Sequence, residues 1–189
     1  MNLYPSFAGC LAVGFASCST IGRHGKIQPA GKVDLSRYMG SWRVIACMDN
    51  KIERDFVDAV ESYTFRGDGR IGVHFEWRDK SFDAPIKIHN FVGRVIPDGS
   101  NARWKMRLFP LFTASYIIVK VSPDYSRVAI GHPSRKFGWI LARDRMIAPQ
   151  EYHEMLDALA RQGYDTSKFI LVPQESSEAS PHRAQVSED

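Results

Sequence analysis

The residue types that most often perform catalysis are scattered along this chain. None of its six histidines has metal-ligand spacing with another, and the sequence contains no Gly-x-Ser-x-Gly nucleophile motif and no glycine-rich phosphate loop. Asp55, Asp58 and Glu61 occupy loop and strand positions where we predict no apolar pocket that would shift their pKa. We therefore expect no catalytic centre, metal site or cofactor, and keep an enzyme acting on a small hydrophobic substrate as the alternative.

Large apolar side chains at alternate positions are the second group with chemical potential. Phe75 and Trp77 share one side of a predicted strand, and Trp104 and Met106 share one side of another. Such rows can remove an apolar molecule from water or simply fill a core, and the alternation does not separate these two uses. Trp104 lies beside basic residues, but the secretory signal described next argues against nucleic-acid binding.

A cysteine near the N-terminus predicts a different chemistry, that of lipid attachment. Residues 7–17 are uncharged and end in Phe15-Ala16-Ser17-Cys18, which resembles the lipobox of bacterial lipoprotein precursors. Residues 1–17 would then be a signal peptide and Cys18 the lipidated N-terminus. Ser19, in place of a retention-type Asp, favours the outer membrane, on its periplasmic side. A plain secretory signal and a buried N-terminal segment are the alternatives.

The composition changes at both ends of the chain and so marks the folded domain. Residues 18–32 are polar and rich in glycine, which predicts a flexible tether, and residues 175–189 hold too little apolar surface to order themselves. The domain therefore covers residues 33–174. The net charge of +4 is not concentrated in a basic cluster, so it predicts a mixed-charge surface. Cys47 is expected to be a packed strand residue.

Turn residues recur every eight to twelve residues through the domain and separate short alternating segments. This pattern is typical of an antiparallel sandwich or barrel, and hairpins between successive strands favour an up-and-down order over a Greek key. With about eight strands, we expect an all-β fold, an eight-stranded antiparallel up-and-down β-barrel. One helix begins at Pro149 and ends before Gly163, and its apolar residues, among them Met155 and Leu159, recur at helical spacing. We expect this C-terminal α-helix to pack outside the barrel; a membrane-surface or partner helix is the alternative.

Several ordered segments of the domain resemble the lipocalin family, and within it the bacterial outer-membrane lipoproteins related to apolipoprotein D. The first motif lies in residues 33–42, which end in Gly40-Ser41-Trp42. Residues 63–71 are similar to the second motif of the family, and residues 109–125 are similar to its middle motif. The last two lie in residues 131–143 and 163–169.

This resemblance implies a barrel that is closed at one end, where Gly40 forms the bend, Trp42 seals the floor and Arg143 stacks on its indole. It also implies a fatty acid or lysophospholipid as ligand, without catalytic turnover, and leaves a homodimer open. With Trp42 directed inward, strict alternation places Val44, Ala46 and Met48 inside. The remaining expected wall residues are Phe75, Trp77, Phe91, Trp104, Met106, Tyr116 and Trp139. Tyr116 is the expected polar contact to the ligand.

Overall fold

The computed structural model describes residues 25–66 and 68–175. The predicted signal peptide, Cys18 and all but the first residue of the predicted C-terminal tail lie outside these residues. The helices are α1 (Leu35–Tyr38) and α2 (Pro149–Arg161), and a short 3₁₀ helix covers Thr166–Lys168. The strands are β1 (Gly40–Met48), β2 (Phe56–Phe65), β3 (Arg70–Asp79), β4 (Lys87–Val95), β5 (Arg103–Phe109), β6 (Phe112–Val121), β7 (Arg127–Gly131), β8 (Gly138–Ala142) and β9 (Phe169–Leu171).

The first eight strands form one closed antiparallel barrel in sequence order. Each strand from β2 to β7 pairs with the next one, β8 pairs with β1, and β1 closes the sheet by pairing with β2. Gly40 stands opposite Tyr63 in that closing pair. Strand β9 adds to the second half of β1. The predicted eight-stranded up-and-down barrel is thus confirmed, with one further strand beyond it.

A β-bulge in β1 changes which side chains face the interior. Val44 pairs with Leu141 and Ala46 with Ile140, so Ile45 is an extra residue on the β1 side of this ladder. A bulge of this kind leaves two successive residues on one face and reverses the alternation beyond it. Val44 and Cys47 therefore belong to the barrel core, whereas Ala46 and Met48 belong to the cluster between barrel and helix.

Helix α2 lies outside the barrel, as the sequence predicts. Pro149 begins the helix, where its missing N–H costs no hydrogen bond, and the Glu151 side chain accepts a hydrogen bond from the Ala148 backbone N–H at 3.1 Å. Met155 and Leu159 are completely buried and pack with Ile117 and Ala129 on the outer face of the sheet. No helix in the described part of the chain is long and apolar enough to cross a membrane.

The chain before α1 also packs on the barrel. Ile27 is 2% exposed, and its carbonyl accepts a hydrogen bond from Arg103 at 2.9 Å. The Ala30 N–H donates to the Ile118 carbonyl at 2.8 Å. These contacts place residues 27–30, part of the predicted tether, against the outside of the sheet, because Ile27 supplies the apolar side chain that holds them there.

The loops divide into two sets at opposite ends of the barrel. One end carries α1 and the turns β2–β3, β4–β5 and β6–β7. The other end carries the loops β1–β2, β3–β4, β5–β6 and β7–β8. Trp42, near the start of β1, lies at the first end, which is the closed end, and the second is the open end.

Candidate ligand-binding site

The floor of the barrel is built around Trp42 and Arg143. The Trp42 side chain is completely buried, and its indole N–H donates to the Tyr38 carbonyl at 2.7 Å. The Arg143 guanidinium lies over the indole, 3.7 Å from the ring centroid. It also donates to the carbonyls of Ser41 at 2.8 Å and Met39 at 2.8 Å. One side chain therefore joins α1, β1 and the end of β8 and closes this end, as the resemblance implies.

Gly40 is required where the chain enters β1. Its φ of 92° lies in the left-handed region, which side-chain-bearing residues rarely adopt. A Cβ atom at this position would also lie 3.3 Å from Nη1 of Arg143. Glycine thus gives both the bend and the room for the guanidinium.

Four aromatic side chains fill the interior directly above the floor. Tyr38, Tyr63, Trp104 and Tyr116 are all buried, and Trp104 stacks on Tyr116 with 5.1 Å between the ring centroids. The Tyr116 hydroxyl is hydrogen-bonded to the hydroxyls of Tyr38 at 2.7 Å and Tyr63 at 2.8 Å. This packing leaves Trp104 and Tyr116 in the floor layer, and the polar atom expected to contact a ligand is engaged with two tyrosines.

A small cavity lies above this layer, toward the open end. Its volume is about 10 Å³, enough for about one water molecule. Its walls come from β1, β2, β3, β8, the β1–β2 loop and the residue after β9, and consist of Val44, Cys47, Glu53, Phe56, Glu61, Phe75, Trp139 and Val172. The wall is mostly apolar and aromatic, which is the composition expected of a pocket for a hydrophobic molecule.

Two carboxyl groups face this apolar cavity. Glu53 comes from the β1–β2 loop and is held by hydrogen bonds from Trp139 Nε1 at 3.1 Å and Asn50 Nδ2 at 2.6 Å. Glu61 lies on β2, between the inward residues Ala59 and Tyr63, and accepts a hydrogen bond from the Tyr63 hydroxyl. No basic side chain is among the described residues that line the cavity.

Burial determines the protonation of both acids. Burial, together with the negative charge of Glu53, raises the pKa of Glu61 to about 8. Burial also raises the pKa of Glu53, although the hydrogen bonds from Asn50 and Trp139 oppose this shift. Glu61 is thus largely protonated at neutral pH, which lowers the repulsion between the two groups. The expectation that no apolar pocket would shift the pKa of Glu61 is wrong.

The predicted wall residues separate into three groups in the structure. Val44, Phe75 and Trp139 line the cavity, and Trp77 stacks on Phe75 with 4.9 Å between the centroids. Phe91, Trp104, Met106 and Tyr116 also pack in the barrel core. The inward orientation expected for Ala46 and Met48 is wrong, because the bulge at Ile45 turns both side chains toward α2.

Sequence reasoning missed five residues of the cavity wall: Cys47, Glu53, Phe56, Glu61 and Val172. The alternation of Ala59, Glu61 and Tyr63 on one side of β2 was a signal that would have found Glu61. The bulge that turns Cys47 inward has no glycine or proline to mark it. Burial raises the pKa of the Cys47 thiol to about 12, which suits the predicted packed cysteine.

Comparison with known proteins agrees with this geometry. The profile of the lipocalin-like domain matches residues 33–174. Outer membrane lipoprotein Blc of Escherichia coli strain K12 is 28% identical over 181 residues, which cover 94% of this chain and 100% of the relative. Temperature-induced lipocalin-1 of Arabidopsis thaliana is 29% identical over 159 residues, 75% of this chain and 80% of the relative.

Solved structures share the fold. Insecticyanin from the tobacco hornworm Manduca sexta superposes with a TM-score of 0.64 at 18% identity, over 84% of this chain and 88% of that one. The domain match covers the barrel from before α1 to the residues after β9, and the sequence relatives include bacterial outer membrane lipoproteins. The chain therefore belongs to the lipocalin family, and within it to the bacterial lipocalin group.

Proposed function

We propose that this protein is an outer-membrane lipoprotein, anchored through Cys18 on the periplasmic side, whose barrel binds a single-chain amphiphile and carries or stores it. The observation that supports binding most directly is the apolar cavity between a sealed floor and the open end. The relatives named outer membrane lipoprotein support the anchor and its location. The proposed ligands are a fatty acid or a lysophospholipid, and the proposal includes no catalytic turnover.

The energy for binding would come from the acyl chain. Each buried methylene contributes about 0.8 kcal/mol, so a chain of roughly 16 carbons contributes about 12 kcal/mol. An association cost of about 4 kcal/mol leaves micromolar affinity. The cavity as it stands holds about one water molecule, so the chain enters only when the aromatic side chains toward the open end, such as Phe75 and Trp139, move aside.

The two acids favour one of the two proposed ligands. A carboxylate placed near Glu53 and Glu61 would be repelled by the acid that is ionised, and no basic group of the wall would offset this. A lysophospholipid with a choline or ethanolamine head group has no net charge, because its cation balances its phosphate, so it would be repelled less. We therefore expect lysophosphatidylcholine to bind more tightly than a fatty acid at neutral pH.

Titration of the full chain carrying Cys18→Ser with lysophosphatidylcholine and with palmitate, followed by tryptophan fluorescence, tests the binding. We expect saturation with both, at about a tenfold lower concentration for the lysophospholipid. Val44→Phe fills part of the cavity and should weaken the binding of both lipids. Val60→Phe adds the same bulk on the outward side of β2 and should leave both affinities unchanged. A flat titration with every amphiphile would contradict the binding proposal.

The anchor has a separate test. In bacterial cells, the unchanged chain should fractionate with the outer membrane, and Cys18→Ser should move it to the soluble periplasmic fraction. Cys47→Ser is the matched control, since it removes a different thiol, and it should stay with the membrane. Membrane association of Cys18→Ser equal to that of the unchanged chain would show that Cys18 is not the anchor.

A further inference from the structure

The open end of the barrel carries large apolar side chains that are exposed to solvent. Leu111, at the tip of the β5–β6 hairpin, is fully exposed. Five others on the loops and strand ends of this end are at least half exposed. Together these six residues form the rim patch: Ile52, Ile86, Ile88, Phe109, Leu111 and Phe112. Exposed apolar side chains gathered at one end of a molecule mark an interaction surface.

The central part of the rim patch is continuous. Phe109 and Phe112 are paired across the β5–β6 hairpin, on either side of Leu111. The neighbouring strand β4 is joined to them by His89, whose ring lies 5.1 Å from that of Phe109 and is hydrogen-bonded to the Leu108 carbonyl at 2.9 Å. Ile88 precedes His89 on β4, so it lies at the same strand end, on the other face of the sheet. The hairpin tip and the start of β4 together form the central part of the rim patch.

Three exposed cations lie at the same end of the barrel as the rim patch. Lys51 on the β1–β2 loop, Arg107 on β5 and Lys136 on the β7–β8 loop are exposed, and none of them forms an ion pair within the described residues. The acidic Asp49, Asp55 and Asp79 at the same end are paired with basic residues. Asp83 on the β3–β4 loop is exposed and forms no ion pair within the described residues, so the three cations exceed it. Apolar side chains flanked by uncompensated cations suit an anionic lipid surface.

The N-terminal segment reaches the same end of the barrel. The Gly25 carbonyl accepts a hydrogen bond at 2.6 Å from Arg135 on the β7–β8 loop. Cys18 precedes Gly25 by seven residues, which span at most about 25 Å. A lipid attached at Cys18 would therefore lie within about 25 Å of the open end, which favours that end facing the membrane.

We propose that the rim patch docks on the surface of a lipid bilayer, so that the mouth of the barrel opens directly onto the source of its ligand. The argument from Gly25 rests on the proposed anchor, whereas the argument from exposure and charge does not. The occupant is the bilayer itself, because exposed apolar side chains and cations without ion-pair partners lie together at the open end of the barrel.

Flotation with vesicles of phosphatidylcholine containing about 30% phosphatidylglycerol tests this docking without the anchor. The chain without residues 1–17 and carrying Cys18→Ser is expected to bind these vesicles, and Leu111→Asp in that background is expected to lower the partition coefficient about tenfold. Leu111 is fully exposed, so its replacement leaves the fold intact. Met146→Ser removes another exposed apolar side chain, on the loop after β8 at the closed end, and is expected to change the coefficient by less than about twofold.

Partitioning of Leu111→Asp equal to that of its parent, or an equal loss with Met146→Ser, would overturn the proposal. The proposal would also be overturned if the parent chain does not bind vesicles but forms a dimer that Leu111→Asp dissociates in sedimentation. The rim patch would then join two copies of the chain. Titration of Leu111→Asp with lysophosphatidylcholine, at concentrations too low for micelles to form, distinguishes the docking proposal from the binding proposal. If Leu111→Asp loses vesicle binding but keeps its affinity for lysophosphatidylcholine, the rim patch acts in docking and the cavity acts in ligand binding.

Discussion

The guanidinium of Arg143 covers the indole of Trp42 at 3.7 Å from the ring centroid, although the two residues lie at opposite ends of the barrel sequence. The same guanidinium donates hydrogen bonds to the carbonyls of residues 37–39 and of Ser41. Because β8 and β1 are neighbours in the closed sheet, this contact fastens the last barrel strand to the first. The closed end thus depends on one planar, multiply donating side chain.

Replacing Arg143 should therefore destabilise the fold. Arg143→Ala removes the stacking and several charge-assisted hydrogen bonds and leaves the carbonyls unpaired, so we expect the free energy of unfolding to fall by about 2–4 kcal/mol. Arg143→Lys keeps the charge but not the planar fork and should recover less than half of this loss. Urea unfolding measures both. Arg161→Ala, on the exposed side of α2, is the control, and a loss as large as that of Arg143→Ala would refute this account.

The tyrosine hydroxyls of the floor give a second prediction. Tyr116→Phe removes the hydroxyl that both Tyr38 and Tyr63 contact, and should lower the free energy of unfolding by about 1–3 kcal/mol. Because that hydroxyl lies in the floor layer, the dissociation constant for lysophosphatidylcholine should change by less than about twofold. A large loss of ligand affinity would instead mean that Tyr116 contacts the ligand.

Stability should depend on pH through Glu61. Its pKa is about 8 in the fold, raised by burial from 4.5, so the folded state binds more protons than the unfolded state between these values. The stabilising contribution of the protonated form is present below about pH 4.5 and is lost as the pH rises toward 8.

Glu61→Gln removes the titrating carboxyl group. Between pH 5 and 8, the free energy of unfolding of this variant should therefore fall less than that of the unchanged chain, by at least about 1 kcal/mol. Urea unfolding at several pH values measures the difference. Glu154→Gln, on the exposed face of α2, should keep the slope of the unchanged chain. Parallel slopes for Glu61→Gln and the unchanged chain would show that Glu61 does not titrate in this way.

Cys47 reports on the cavity wall. In a chain carrying Cys10→Ser and Cys18→Ser it is the remaining thiol, and burial with its raised pKa should make labelling by a disulfide reagent at pH 8 at least about a hundredfold slower than in urea. Bound lysophosphatidylcholine should slow labelling further, because Cys47 lines the cavity. Labelling as fast as in urea would place Cys47 at the surface.

The barrel closed at one end followed from the lipocalin resemblance. Alternation and turn spacing by themselves predicted an antiparallel sandwich or barrel, the helix and the inward direction of Trp104 and Met106. They failed at Ala46 and Met48, because strict alternation assumes an unbroken ladder and the bulge at Ile45 adds one residue. The bulge depends on pairing with β8, which lies far away in the chain, so no residue near Ile45 in the sequence predicts it. The closeness of Glu53 and Glu61 was equally hidden, since it depends on how the β1–β2 loop folds over the cavity.

The central claim is that the chain of an amphiphile lies above the aromatic floor, and quenching by a brominated acyl chain tests it most directly. Lysophosphatidylcholine brominated along its acyl chain should quench the tryptophan fluorescence of the Cys18→Ser chain. Replacing Trp77 and Trp139 by Phe should remove most of this quenching, because Trp42 and Trp104 lie in the floor. Quenching that persists undiminished without Trp77 and Trp139, or no quenching at saturating lipid, would contradict the account.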